Sequence, residues 1–140
     1  DVAEESNGTR AFMALTHSIL EALSDGTTIC IDELDASLHS LLASSLVQRF
    51  LSGESNPKGA QLIFATHETA LLNQELLRRD QIWFTEKDKN GVSHLYPLSD
   101  FKPQPNENLE TGYLQGRYGA IPFIDSHAFL TAMAKNNGKK

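Results

Sequence analysis

Two short apolar segments constrain the fold of this chain more than any other feature. Residues 28–31 (TICI) and 61–65 (QLIFA) are rich in branched apolar side chains, and polar residues follow each of them at once. We predict that both are buried strands of a parallel sheet. Between them, the spacing of apolar residues predicts a helix from Ser37 to Gly53. A parallel pair joined by a crossover helix indicates an α/β fold.

Helix and turn signals on both sides of this unit complete the predicted elements. Apolar residues at helical spacing predict further helices over residues 8–25 and 68–79. Residues 81–86 and 93–98 are the predicted strands of a β-hairpin around Asn90–Gly91, which is a strong turn signal. The order of helices and strands along the chain is that of an α/β unit followed by a hairpin.

We predict one domain for the whole chain of 140 residues. Residues 1–80 form its α/β part, residues 81–101 form the β-hairpin, and residues 102–140 form a linker and a C-terminal segment. The last part contains the stretch YLQGRYGAIPF, which starts at Tyr113. Glycines between bulky side chains fit a binding site and a tight turn equally well.

Composition and charge narrow the possible classes of protein. The formal net charge is −6, so bulk electrostatics disfavour binding to nucleic acid. No apolar run is long enough to span a bilayer, and the sequence has no signal-peptide pattern. We therefore predict a cytoplasmic protein with no membrane partner. The single cysteine, Cys30, lies in an apolar segment and is predicted to be a packed, reduced thiol.

Two carboxylates, Asp32 and Glu33, directly follow the first predicted strand. In a site that hydrolyses nucleotides, an aspartate at the end of a buried strand can hold Mg²⁺, and a neighbouring glutamate can orient or deprotonate the attacking water. The strand would act as a rigid mount at the carboxyl edge of the sheet. Taken alone, the pair fits a solvated acidic turn equally well.

Two further features fit the same chemistry. Thr66 and His67 follow the second predicted strand. His67 could therefore reach the same carboxyl edge of the sheet as Asp32 and Glu33 and contact a γ-phosphate there. A polar residue with a purely structural role at a strand end is the simpler alternative. The stretch ESNGTR places Ser6 and Gly8 at the start of a helix. Helix N-termini bind anions, although an ordinary N-cap gives the same pattern.

In this order, the three features resemble the motifs of ABC-type ATPases. ESNGT resembles the signature motif, ICIDE the Walker B motif with its catalytic glutamate, LDASLH the D-loop region and IFATH the switch-histidine strand. IDELDASLH is more similar to the SMC-like and RecF-like ATPases than to transporters. The segments QIWF, LYPLSDF and GRYGAIPF resemble AAA-type ATPases of bacterial abortive-infection systems.

The resemblance implies the C-terminal part of a RecA-like P-loop NTPase fold that uses ATP and Mg²⁺. It implies that Asp32 binds the metal, that Glu33 is catalytic and that His67 senses the γ-phosphate. It also implies that signature residues contact ATP in trans and that a D-loop lies at a dimer seam. The residues with these last two roles are Ser6, Asn7, Gly8 and Thr9 in the signature, and Asp35 and Ser37 in the D-loop.

The sequence departs from the motifs of the family at several points, and these differences determine which partners we expect. His39 stands where transporters have the D-loop aspartate, and Ser40 stands where the similar branch often has proline. The sequence contains no GxxxxGK[ST] phosphate loop. We therefore expect a fragment that is inactive alone, that needs a missing N-terminal part carrying the phosphate loop, and that acts as an ATP-dependent homodimer. A nucleic-acid or effector partner stays open.

Two other function classes compete with the ATPase head. IDELD also fits the DExD motif of helicases, and IFATH weakly resembles their Ser-Ala-Thr motif, but this alternative leaves ESNGT unexplained. It also requires a second RecA-like domain, for which the ~70 residues after His67 are too few. A non-catalytic interaction or dimerisation module is the third class. The presence of Ser6, Gly8, Asp32 and Glu33 together with that histidine argues against it.

Overall fold

The computed structural model describes residues 7–36 and 38–121, and for residues 7–12 the description is limited to the backbone. Its elements are α1 (Asn7–Asp25), β1 (Thr28–Ile31), α2 (Ser40–Leu51), β2 (Gln61–Phe64), β3 (Trp83–Lys87), β4 (Ser93–Pro97) and α3 (Leu109–Leu114). Short 3-10 helices cover Thr69–Leu71 and Leu98–Phe101. In this part of the chain, no helix combines the length and the apolar character needed to cross a membrane.

The first two strands form a parallel pair, as the sequence predicts. β1 and β2 run in register from their first to their last residues. The ladder continues past both strands, because Ala65 N–H donates to the carbonyl of Ile31 and Leu34 N–H donates to the carbonyl of Ala65, both at 3.0 Å. α2 connects the two strands along the chain. The predicted mixed α/β class with a parallel sheet is therefore confirmed.

The prediction that both strands are buried is wrong for one face of the sheet. Successive side chains of a strand point to opposite faces, and the burial of both strands alternates accordingly. The inner face packs on the cores that α1 and α2 help to form, through Ile29, Ile31, Leu62 and Phe64. On the other face Cys30 is exposed and Ile63 is 59% exposed. The thiol is thus accessible because the described residues cover only one face.

The second helix starts later than the sequence predicts. α1 ends at Asp25 as expected, before Gly26 with its left-handed φ of 73°. α2 begins at Ser40 instead of residue 37, because His39 is its N-cap and its Nδ1 atom accepts the N–H of Leu41 at 3.3 Å. A side-chain acceptor at this position satisfies a backbone donor that the first helical turn leaves free.

The predicted helix over residues 68–79 is wrong. Only Thr69–Leu71 are helical, as a single 3-10 turn, and a series of turns follows. Asn73 gives the physical reason, since its Oδ1 atom accepts the N–H of Glu75 at 2.8 Å. Such a local bond from side chain to backbone competes with the helical hydrogen-bond ladder, so the leucine spacing alone does not produce a helix here.

The second half of the described chain is built around an aromatic cluster. β3 and β4 pair antiparallel, and Phe84 on β3 stacks on Tyr113 and Tyr118 with ring centroids 5.7 and 5.6 Å apart. Phe101 meets the ring of Tyr118 edge-on at 5.4 Å. The side chain of Tyr118 is fully buried. Residues 113–121 therefore supply packing, and the left-handed φ of Gly116 and Gly119, 82° and 68°, favours the tight-turn interpretation for this part of YLQGRYGAIPF.

Residues 102–108, at the start of the segment predicted to be a linker and C-terminal segment, pack against the preceding turns. Pro103 is fully buried, and its carbonyl accepts Nη1 of Arg79 at 2.9 Å. Nε2 of Gln74 donates to the carbonyls of Gln104 and Glu107, each at 2.9 Å. These bonds attach the segment that leads into α3 to the chain that follows β2.

Candidate functional site

The polar residues after β1 and β2 lie side by side. The two strands are parallel, so their carboxyl ends meet at one edge of the sheet. Asp32 and Glu33 follow β1, and Thr66 and His67 follow β2. The backbone bond from Leu34 to Ala65 holds the two loops together just past the strands. The structure therefore brings both predicted groups of site residues to a common edge.

Glu33 has a left-handed backbone, which is unusual for a residue with a side chain. Its φ is 51°, a conformation that costs about 1 kcal/mol for a residue other than glycine. The next residue, Leu34, is only 1% exposed and belongs to the core. Burial of Leu34 offsets this cost and turns the chain so that Asp32 and Glu33 stay exposed. Neither carboxylate hydrogen-bonds to another described residue, so both are free to meet a ligand.

Asp35 joins the two loops through its side chain. Its Oδ1 atom accepts the hydroxyl of Thr66 and also the backbone N–H of His67, the latter at 3.0 Å. The hydroxyl oxygen of Thr66 in turn accepts the N–H of Glu68 at 3.0 Å. A single aspartate on the loop after β1 therefore fixes the backbone of the loop after β2.

The carboxyl of Asp35 is ionised at neutral pH. Burial acts to raise its pKa, but the hydrogen bonds from Thr66 and from the His67 N–H act in the other direction, and the net pKa lies below its ordinary value of 3.8. Hydrogen bonds that favour the charged form lower a carboxyl pKa in this way. Asp35 thus accepts both bonds as a carboxylate, which makes them stronger than bonds between neutral groups.

Two more carboxylates hold the segment that follows His67. Glu68 accepts the hydroxyl of Ser40 at the start of α2, and its Oε1 atom caps the 3-10 turn by accepting the N–H of Ala70 at 3.1 Å. The bond from Ser40 holds the pKa of Glu68 below its usual value. The hydroxyl of Thr69 donates to Oε1 of Glu110 on α3 at 2.6 Å.

The remaining predicted site residues lie on α1 or outside the described residues. Asn7, Gly8 and Thr9 form the first turn of α1, and Ser6 and Ser37 fall outside the described part of the chain. α1 packs on the core through Leu15, which is about 12 Å along the helix axis from Asn7 at 1.5 Å per residue. Ile19 and Leu23 of the same helix also pack on the core, and the side chains of residues 7–12 lie outside the description.

The residues at the strand ends fit a magnesium ion that arrives with a nucleotide. Among residues 7–36 and 38–121, no group of three or more His, Cys, Asp or Glu side chains is arranged to hold a metal ion. Mg²⁺ at nucleotide sites keeps several waters and takes phosphate oxygens, so that one or two carboxylates suffice. Asp32, exposed at the end of β1, supplies one carboxylate oxygen donor of that kind.

The sequence alone predicts no role for three polar residues of this network. They are Thr66, Ser40 and Glu110. Thr66 stands next to His67, which was a weak signal that its hydroxyl could orient the loop. Ser40 and Glu110 gave no signal, because their partners are 28 and 41 residues away along the chain.

Comparison with models of protein families finds a match. A family model described as "AAA domain, putative AbiEii toxin, Type IV TA system" matches residues 1–73, which is just over half of the 140 residues. Searches of the curated proteins and of the solved structures found no match. The matched range contains α1, the β1–α2–β2 unit and the loop that carries His67.

Proposed function

This chain belongs to the AAA domain family, and from that membership we propose that it forms part of a site that binds and hydrolyses ATP with Mg²⁺. The observation that carries the proposal is the shared edge of β1 and β2, where Asp32, Glu33 and His67 are held in adjacent loops. Acidic, water-accessible side chains on rigid strand ends are what metal-assisted phosphoryl transfer requires.

Each residue at this edge has a distinct proposed role. Asp32 binds Mg²⁺, whose charge neutralises the phosphates when the ion is bound. Glu33 accepts a proton from the attacking water or orients it, which needs an exposed carboxylate with no protein partner, as observed for the described residues. His67 contacts the γ-phosphate from the neighbouring loop. Its exposed position supports that role.

The phosphate loop comes from outside these 140 residues in this proposal, since the sequence has no GxxxxGK[ST] pattern. We propose an ABC-type arrangement in which two copies sandwich the nucleotide. Ser6, Asn7, Gly8 and Thr9 of one copy then contact ATP bound to the other copy, and Asp35 and Ser37 lie near the seam. The position of Asn7, Gly8 and Thr9 in the first turn of α1 supports a contact with phosphate, because helix N-termini bind anions.

The biological use of the hydrolysis is also a proposal. The description of the matching family names a toxin of a type IV TA system. Together with the resemblance of the C-terminal segments to abortive-infection ATPases, this favours a role in phage defence over transport. A DNA-related process is the alternative for an SMC-like or RecF-like head.

Glu33→Gln tests the assignment in the ATPase that contains this chain together with its phosphate loop. The amide keeps the shape of the side chain but cannot accept a proton, so ATP hydrolysis should fall about 10²–10⁴-fold while ATP binding is retained. Glu54→Gln, at an exposed glutamate in the loop after α2, is the matched control and should hydrolyse ATP normally. Turnover by Glu33→Gln at the unmodified rate would exclude Glu33 as the general base.

A further inference from the structure

The segment after β2 is held by polar side chains from three separate elements. Asp35 reaches it from the loop after β1, Ser40 from the start of α2, and Glu110 from α3. Glu110 lies outside the range that the family model matches. The segment that carries His67 is therefore fixed by the tertiary fold rather than by a helix or strand of its own.

From this arrangement we infer that Asp35 is a positioning residue for His67, an inference that rests on the proposed function. Its Oδ1 atom accepts two hydrogen bonds, from the side chain of Thr66 and from the backbone N–H of His67. The N–H belongs to the peptide group that joins Thr66 to His67, and the hydroxyl belongs to the residue on its N-terminal side. Two bonds to one rigidly mounted atom fix the orientation of that peptide, and with it the direction in which the His67 side chain leaves the backbone.

The position of the His67 imidazole depends on the two hydrogen bonds to Asp35, because the ring itself makes few contacts that could hold it. The residue is exposed, and no hydrogen bond to its ring is found among the described residues. The backbone therefore fixes the position from which the side chain starts, and rotation about χ1 and χ2 then places the ring. A misplacement of about 1 Å in a group that contacts the reacting phosphate can cost about 100-fold in rate.

Asp35 also links His67 to the catalytic glutamate. Asp35 lies two residues after Glu33, in a turn closed by the bond from Ala36 N–H to the carbonyl of Glu33 at 2.9 Å. The turn is anchored by the buried side chain of Leu34. Through Asp35, the loops that carry Glu33 and His67 hold a fixed relative geometry before any nucleotide binds.

The test combines a structural readout on this chain with kinetics of the ATPase that contains it. Asp35→Ala removes the acceptor, so the His67 amide resonance should shift and its hydrogen exchange should accelerate. In the ATPase, kcat should fall about 10–100-fold, with KM changed less than about twofold, because both described bonds of Asp35 are to its own chain. Asp35→Asn keeps an oxygen that can accept both bonds, and it should restore most of kcat and the amide signal.

Ser40→Ala is the matched structural control, because it removes the bond to Glu68 but leaves both bonds to Asp35 in place. It should change the His67 amide resonance and its hydrogen exchange far less than Asp35→Ala does. If Asp35→Ala does not fold, the variants Thr66→Val and Thr66→Ser test the inference instead. Valine removes one of the two donors and should lower kcat, whereas serine keeps it.

Three results would overturn the inference. The first is an unchanged resonance and hydrogen-exchange rate of the His67 amide in Asp35→Ala, and the second is an unchanged kcat in that variant. The third is an equal loss of kcat in Asp35→Asn, which would show that the charge of Asp35 matters and not its hydrogen bonds. Failure of the proposed function looks different. The unmodified ATPase would then show no hydrolysis that depends on Glu33, while the amide measurement would still decide whether Asp35 holds His67.

Discussion

Replacing Asn56 with alanine should destabilise the chain, because this buried side chain makes three hydrogen bonds to the backbone. Asn56 is 9% exposed. Its Nδ2 atom donates to the carbonyls of Phe50 and Ala60, each at 2.8 Å, and its Oδ1 atom accepts the N–H of Ala60 at 2.7 Å. These bonds tie the last turn of α2 to the residue before β2.

The expected cost follows from the number of groups left without a partner. Alanine leaves two carbonyls and one N–H unpaired in a site that water barely reaches. At about 1 kcal/mol for each lost bond, with more for groups that stay desolvated, the free energy of unfolding should fall by about 2–4 kcal/mol. For a chain of this size, that corresponds to a decrease in Tm of roughly 8–16 °C.

Urea unfolding followed by circular dichroism measures this loss. Asn106→Ala is the matched control, since Asn106 is exposed and surface substitutions usually change stability by less than about 0.5 kcal/mol. A loss below about 0.5 kcal/mol for Asn56→Ala as well would show that the three bonds contribute little, and would refute the argument that they fix the start of β2.

Two further predictions concern the second half of the described chain. Burial, reinforced by hydrogen bonds to Glu86 and Glu107, raises the pKa of Tyr96 and Tyr118 to about 12. Because these pKa values exceed the ordinary value of 10.0, the two protonated tyrosines stabilise the folded chain fully below pH 10, and this stabilisation is lost as the pH rises toward 12. Ultraviolet titration should show that two of the three tyrosines ionise at higher pH than the third. A common pKa near 10 for all three in the folded chain would contradict this. Gly112→Ala should destabilise by about 1–3 kcal/mol, because a Cβ there would lie 2.8 Å from the hydroxyl of buried Tyr118. Thermal unfolding should separate it from Gly53→Ala, where no atom lies within 4 Å, and equal Tm values for the two variants would exclude the steric argument.

Local signals in the sequence were sufficient for the α/β unit. The apolar segments at 28–31 and 61–65 pair as parallel strands, and Asp25–Gly26 ends α1 because glycine adopts the left-handed φ found there. Such features depend on residues close together in the chain, so they can be predicted without knowledge of the tertiary structure.

Other features depend on contacts that no local pattern contains. The leucines at 71, 72 and 76 have helical spacing, but the side chain of Asn73 bonds to the backbone and prevents a helix. Burial of β1 and β2 depends on which faces are covered, and the described residues cover one. The bond between Asp35 and Thr66 joins residues 31 apart. Candidate site residues could therefore be proposed from motifs, but the hydrogen bonds that connect their loops could not be predicted from them.

We propose that ATP is hydrolysed between two copies, with Glu33 from one copy and the start of α1 from the other. Mixing two inactive variants of the ATPase that contains this chain tests it most directly. Gly8→Asp places a carboxylate against the phosphate and should block the contact in trans by charge repulsion, whereas Glu33→Gln removes the base. A mixed dimer has one site with both defects and one site with neither, so partial recovery of ATP hydrolysis on mixing is predicted. Undiminished hydrolysis by Gly8→Asp alone, or no recovery from a mixture that forms dimers, would contradict the composite site.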